Sequence, residues 1–475
     1  MLALLAACGS APVGPDYHPA PDAVAALPAA NAPFHAAGTA DAAAAAGHAP
    51  FAAVPLPAHW WRLYHDPRLD TLVERALAHN TDLRQAIANL ERERALDEQV
   101  AAAQRPVLAL AGGPSYGHVS GLSVGHPGVA PDSTLNYGAT ASLSYQVDLF
   151  GQIRRAIEAA HADTEAAEAA LDLVRVNVAA GTARAYADVC SSGMRLHSAE
   201  DSVRLQGEAV DLSDRLQRAG RAGTIDVARA RGQLQQLQAA IPPLQAQRQS
   251  ALYRLATLTG APPQSFPREV ADCAAAPRVA GALPVGDGAA LLRRRPDVRQ
   301  AERGVAAATA RIGVATAELY PKVTLGLSAG SLGLASGFGN SDAFSWSLGP
   351  LISWTVPNTG AVRARIAQSE AGTRGALAHF DGVVLGALRE TETALAVYAH
   401  ELDRRAALQA ARDQSAAVAQ QARQLYRNGK TGSLDALDAE RALAASEAAL
   451  AASDAQLADD QVTLFMALGG GWEPA

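Results

Sequence analysis

Leu216-Gln217-Arg218-Ala219-Gly220-Arg221-Ala222-Gly223-Thr224-Ile225-Asp226 and Leu425-Tyr426-Arg427-Asn428-Gly429-Lys430-Thr431-Gly432-Ser433-Leu434-Asp435 are one pattern written twice, 209 residues apart. Working back from these stretches, Ile157 falls on Ile366, Arg154 on Arg363 and Gly151 on Gly360, with no gap needed. So long a fixed register indicates helix, because each inserted residue would turn every later side chain by about 100° and spoil the packed face. No proline interrupts Gly151 to Ile241 or Asn358 to Glu473, and both runs are rich in Ala, Leu, Arg, Gln and Glu. Each run therefore reads as helical, and the first arm, to Ala219, would stretch roughly 100 Å at about 1.5 Å per residue. Gly220 and Gly223 in one copy, and Gly429 and Gly432 in the other, give the backbone freedom for a helical reversal.

Upstream of the repeat the register drifts. Arg105-Pro106 matches Tyr320-Pro321 at a spacing of 215, so the segments between proline and glycine differ in length. Those segments alternate with period two: Leu143, Tyr145, Val147 and Leu149 against Ser142, Ser144, Gln146 and Asp148, and Val323, Leu325 and Leu327 against Thr324, Gly326 and Ser328. They read as four strands, two within 107–150 and two within 322–357, each near the ten residues or so that cross a tilted path through a bilayer. Before each strand pair, apolar residues at three-and-four spacing predict a helix, Pro67 to Gln104 in one half and Leu291 to Leu319 in the other. The fold class that follows is a mixed α+β membrane protein with an internal two-fold repeat, mostly long helices plus four transmembrane strands per chain. Four strands cannot close a barrel, for which about eight are the usual minimum, and an open edge in lipid leaves backbone groups unpaired. The chain must therefore assemble; two copies reach eight strands and three reach twelve.

The expected organisation is a signal-peptide remnant (1–7), a lipid anchor and extended Ala/Pro-rich arm without its own core (8–58), a first repeat (59–260), a linker (261–289), a second repeat (290–470) and a short tail (471–475). Leu5-Ala6-Ala7-Cys8 followed by Gly9 has the form of a lipobox, so Cys8 is expected to carry a covalent lipid and the true start to lie upstream of Met1. Cys190 and Cys273 read equally as a disulfide of an oxidising compartment or as two buried thiols. With 47 acidic against 40 basic residues and no dense basic cluster, nucleic acid is not an expected partner. The 12 histidines are scattered, and no phosphate-binding glycine loop, Gly-x-Ser-x-Gly or His-Glu-x-x-His is present, so neither an enzyme nor a metal site is expected.

His59-Trp60-Trp61-Arg62-Leu63 with Asp66-Pro67-Arg68-Leu69, Asp148-Leu149-Phe150-Gly151, Arg294-Arg295-Pro296-Asp297-Val298, Ala310-Arg311-Ile312-Gly313-Val314-Ala315 and Val13-Gly14-Pro15-Asp16-Tyr17 together resemble the TolC-like outer membrane factors, and within them the NodT-type efflux lipoproteins. The resemblance implies a homotrimer with a twelve-stranded barrel in outer-membrane lipid and an α-helical barrel in the periplasm. It further implies docking to a periplasmic adaptor and an inner-membrane pump, often of the RND class, in a passive duct for drugs or other toxic small molecules. A lipid-anchored structural or adhesive coiled-coil protein is the alternative, and the paired strands speak against it.

Asp435 and Asp438 lie three apart after the second turn, which puts both on one helix face. In a trimer they would make two stacked acidic rings that favour cations, and the resemblance matches them to the family's periplasmic constriction. An acidic residue in a first helical turn also simply suits the helix dipole. The first repeat keeps Asp226 but has Arg229 where the second has Asp438. Asp226, Arg229, Tyr426 and Lys430 are the candidates for links that hold neighbouring coiled coils shut. The turns around Gly220, Gly223, Gly429 and Gly432 are the candidate adaptor contacts, besides reversing the chain.

Overall fold

The computed structural model describes residues 11–38, 50–118, 120, 122, 125, 127–128, 132–354, 356 and 359–472. Cys8 lies outside them. The chain forms two compact units that cut across the repeats: one takes in 90–167 and 301–380 with the arm up to Pro19, the other 20–89, 168–300 and the chain from Asp381 onward.

The first unit is built on a four-stranded antiparallel sheet. The strands are β2 (Val107–Gly117), β3 (Thr134–Val147), β5 (Lys322–Leu334) and β6 (Phe344–Ser353), in the order β2-β3-β5-β6. The register sorts side chains cleanly. Leu108, Leu143, Leu327 and Leu348 stand opposite one another across all four strands, and Leu110, Ala141, Ala329 and Trp346 form the neighbouring row two residues along. The other face carries the rows Ala109, Ser142, Ser328, Ser347 and Ala111, Thr140, Gly330, Ser345, with the Ser328 and Ser347 hydroxyls hydrogen-bonded at 2.8 Å. The apolar face is exposed, Leu110 at 75% and Trp346 at 69%, and the two edge strands are exposed along their whole length. The second strand expected within 107–150 ends sooner than its alternation through Leu149 suggests. Asp148 leaves the strand, and its carboxylate accepts from the Ile153 and Arg154 N–H groups, each at 3.0 Å, capping the next helix.

The helices are α1 (Pro67–His79), α2 (Thr81–Ala101), α3 (Gln152–Arg218), α4 (Thr224–Ala239), α5 (Ile241–Leu258), α6 (Gly288–Arg294), α7 (Pro296–Ala317), α8 (Thr359–Arg427) and α9 (Ser433–Ala467). The first predicted helix is two. Asn80 leaves helical geometry at ψ 137°, its side chain accepting from Asp82 and Leu83 N–H while donating to the Leu258 carbonyl at 3.0 Å. Its counterpart is also split, at Arg295, which Pro296 pushes to extended backbone. The two halves differ in their last limb: α9 runs unbroken, whereas the first half breaks at Ala240 before Pro242-Pro243, neither of which has an N–H to continue the ladder.

The second unit holds the main apolar core. Trp60, Trp61, Tyr186, Leu255, Leu464 and Phe465 are fully buried, with Trp60 and Phe465 rings 4.8 Å apart. The described arm is more than a tether, since Phe34, Phe51 and Leu56 enter this core and β1 (Phe51–Ala52) pairs in parallel with β4 (Leu283–Pro284) of the linker. Of the expected tail, Trp472 is buried under the Arg299 guanidinium at 5.0 Å. The adjacent arginines earlier in the chain act as ties: Arg294 donates to the carbonyls of Leu56, Pro57 and Gly469, and Arg295 to Ala467, Asp297 and Glu390. Cys190 and Cys273 are joined as a disulfide with their Cα atoms 4.6 Å apart, fastening the linker to α3.

Candidate functional site

The two helical reversals have the same backbone. Gly220 and Gly429 adopt φ of 71° and 68°, a region closed to most side chains, and each is followed by an N–H that reaches back five residues: Arg221 to the Leu216 carbonyl at 2.8 Å, Lys430 to Leu425 at 2.9 Å. Gly223 and Gly432 stand at the helix N-caps in ordinary extended geometry, φ −84° and −76°, so the turn itself does not demand glycine there. The ends of the rods coincide as the spacing requires: α3 stops at Arg218 and α8 at Arg427, α4 starts at Thr224 and α9 at Ser433, both differences being 209.

Between the two hairpins lies a cavity of about 310 Å³, lined among others by Gln206, Asp226, Arg229, Arg423, Tyr426 and Ser433. Asp226 bridges it. One carboxylate oxygen accepts from its own N-cap, Gly223 N–H at 3.0 Å, and the other from the Ser433 hydroxyl of the opposite hairpin at 2.5 Å. The Ser433 hydroxyl first, and then the Gly223 N–H, hold the Asp226 carboxyl below the usual carboxylate range, with Arg229 adding a smaller contribution of the same sign. The Tyr426 hydroxyl is buried without a hydrogen-bond partner among the described residues. Lys430 is exposed in the turn and does not line the cavity.

Asp435 and Asp438 are both exposed on α9, away from the cavity lining. Asp435 accepts from the Thr431 hydroxyl at 2.6 Å, and Asp438 lies 3.6 Å from Arg441, the next basic residue along the helix. The structure thus brings together Asp226, Arg229 and Tyr426 and leaves Lys430 and the aspartate pair outside.

Sequence reasoning missed two members of the site. Ser433 is one, although the 209-residue spacing aligns it with Thr224 and so places a hydroxyl at the first helical position of both limbs. The other is the Arg423–Glu440 pair, bidentate at 2.6 and 2.9 Å, which ties α8 to α9. No motif marks that pair, since 17 residues separate its members across a turn.

With this geometry in hand, known proteins supply the context. The sequence profile described as "Outer membrane efflux protein" matches residues 72–261 and 289–470. The chain is 31% identical over 428 residues to the solvent efflux pump outer membrane protein SrpC of Pseudomonas putida, covering 86% of each. It is 29% identical over 423 residues to nodulation protein T of Rhizobium leguminosarum bv. trifolii, covering 87% of this chain and 88% of that one. The solved structure of the outer-membrane channel OprN superposes with a TM-score of 0.88 at 36% identity, over 97% of this chain and all of the other. The chain belongs to the outer membrane efflux protein family and is an outer-membrane efflux channel, not a lipid-anchored adhesive scaffold.

Proposed function

We propose that three copies close the four-stranded sheets into one twelve-stranded barrel, continued by the long helices as a passive periplasmic duct for small toxic molecules. The observation that carries this reading is the sheet itself: a leucine and tryptophan face turned outward, a serine, threonine and glycine face behind it, and two edges unpaired among the described residues. In lipid the apolar face is solvated by acyl chains and the edges must find partners, which further copies supply. The names of relatives support a place in a multicomponent pump, so an adaptor contacting the turns at Gly220, Gly223, Gly429 and Gly432 and an inner-membrane pump, of the RND class, are the partners this reading requires. Acylation of Cys8 anchors the chain in the same membrane, in keeping with SilC of Salmonella typhimurium, whose name is "Probable outer membrane lipoprotein".

At the tip, Asp226 and Ser433 hold the two hairpins of one chain together, while Asp435 and Asp438 face the axis as rings of carboxylates that favour cations. Arg229, Tyr426 and Lys430 complete the surface on which neighbouring hairpins meet. The duct hydrolyses nothing and is driven by its partners. The test is single-channel conductance of the purified protein in planar bilayers, with the oligomer mass measured in the same detergent. A trimer of small, cation-selective conductance is expected; a monomer without conductance overturns the reading.

A further inference from the structure

Residues 12–17 are gripped in a way that conduction does not use. The Val13 N–H donates to the Phe150 carbonyl at 3.1 Å, just where β3 has given way to α3. Arg155, its side chain only 4% exposed, donates to the carbonyls of Val13 at 3.1 Å and Gly14 at 3.3 Å, and to the carboxylates of Asp16 at 2.6 Å and Glu158 at 2.7 Å. A buried guanidinium is costly unless its fixed fork of donors is met, and here three of its four partners belong to the arm. The Tyr17 hydroxyl donates to Glu302 at 3.1 Å, with the Arg303 guanidinium 5.6 Å over its ring. Two glycines make room. A Cβ on Gly14 would lie 2.5 Å from the Gly313 Cα, and a Cβ on Gly151 would lie 2.5 Å from the Pro12 Cβ. Both glycines also have positive φ, 89° and 78°, so a side chain at either is excluded by backbone and by space.

Three residues lie between Cys8 and Pro12, a tether of at most about 14 Å when fully extended. We infer that Arg155 is a positioning residue for the lipid anchor: by clamping Val13 to Asp16 beside Phe150, it sets where the acyl chains of Cys8 enter the bilayer relative to the strands, and so registers the sheet with the membrane during assembly. This inference rests on acylation of Cys8, which the mass of the N-terminal peptide tests separately; an unacylated chain refutes that reading without a single clamp variant being made.

The experiment compares the outer-membrane fraction of heat-resistant oligomer for the wild-type chain, Arg155→Ala, Gly14→Val, and a chain with twelve Gly/Ser residues inserted after Gly9, which leaves every Arg155 contact in place. Helical content and thermal unfolding of each variant are recorded alongside. Arg155→Ala and Gly14→Val are each expected to lower the oligomer fraction about tenfold, the equilibrium weight of one charge-assisted hydrogen bond, and the lengthened tether to do the same. Combining Arg155→Ala with the long tether is expected to add nothing further, since both release the same constraint. A long-tether chain that assembles like wild type, losses that multiply in the combined variant, or an Arg155→Ala chain that assembles normally would each overturn the inference. A loss that tracks lowered thermal unfolding instead assigns Arg155 to packing alone and overturns it as well.

Discussion

Replacing Ser433 by Ala removes one of the two partners of Asp226 and leaves the other, the Gly223 N–H, untouched. The lost contact is a hydroxyl on a carboxylate at 2.5 Å between the two hairpins, which Arg441 also joins by donating to Gln233 at 2.8 Å. A charge-assisted hydrogen bond is worth about 1.5–3 kcal/mol when shielded, and partial exposure of this pair brings the figure to about 1 kcal/mol. That corresponds to about a fivefold shift in the ratio of closed to open tips. The assay is open probability in planar bilayers for wild type, Ser433→Ala and Ser433→Thr, the last of which keeps the hydroxyl. The pH dependence has a fixed sign. Because the folded state depresses the Asp226 carboxyl, the link is fully present above the ordinary carboxylate range and is lost only as pH falls through the depressed value. Wild type should thus stay shut to more acid pH than Ser433→Ala. Equal open probability for the alanine and threonine variants, or opening of wild type first on acidification, refutes the reasoning.

Asp435→Ala with Asp438→Ala is expected to raise conductance and weaken block by multivalent cations in the same bilayers; unchanged block removes both residues from the pore. Replacing Cys190 and Cys273 by Ala opens a loop closed over 83 residues, with an entropic loss of about 4–5 kcal/mol at most, and thermal unfolding of the helical signal should fall accordingly. Leu348→Arg, midway along β6 on the exposed sheet face, is expected to cost about 2–4 kcal/mol of barrel stability, read as lost heat-resistant oligomer, whereas Ser345→Arg on the opposite face should leave oligomer yield near wild type.

Rods were the most legible part of the sequence. Proline-free runs and a constant spacing fix where α3 and α8 end, because helical geometry ties every residue to its neighbours. The four strands were legible from period-two alternation, but the end of β3 was not, since Asp148 continues the alternating pattern while its carboxylate serves as a helix cap. The Asn80 break was hidden for a related reason: apolar spacing persists through it, and what ends α1 is a side-chain amide satisfied by the distant Leu258 carbonyl. At the tip, Asp226 was visible as the acid kept in both copies, yet its partner Ser433 sits 207 residues away and only the folded hairpins join them. Low apolar content concealed the docking of the arm, because three large side chains, Phe34, Phe51 and Leu56, suffice to seat it on a core made elsewhere.

The interruption before Pro242-Pro243 has no counterpart in the other hairpin, where α9 is continuous from Ser433 to Ala467. A helix missing successive hydrogen bonds bends more readily at that point than one with its ladder intact. One hairpin of each chain is therefore a jointed stave and the other a continuous one. Under a common sideways load the jointed stave yields first, so compliance within a single chain is uneven by construction, and the two copies of an inherited unit have become mechanically different parts.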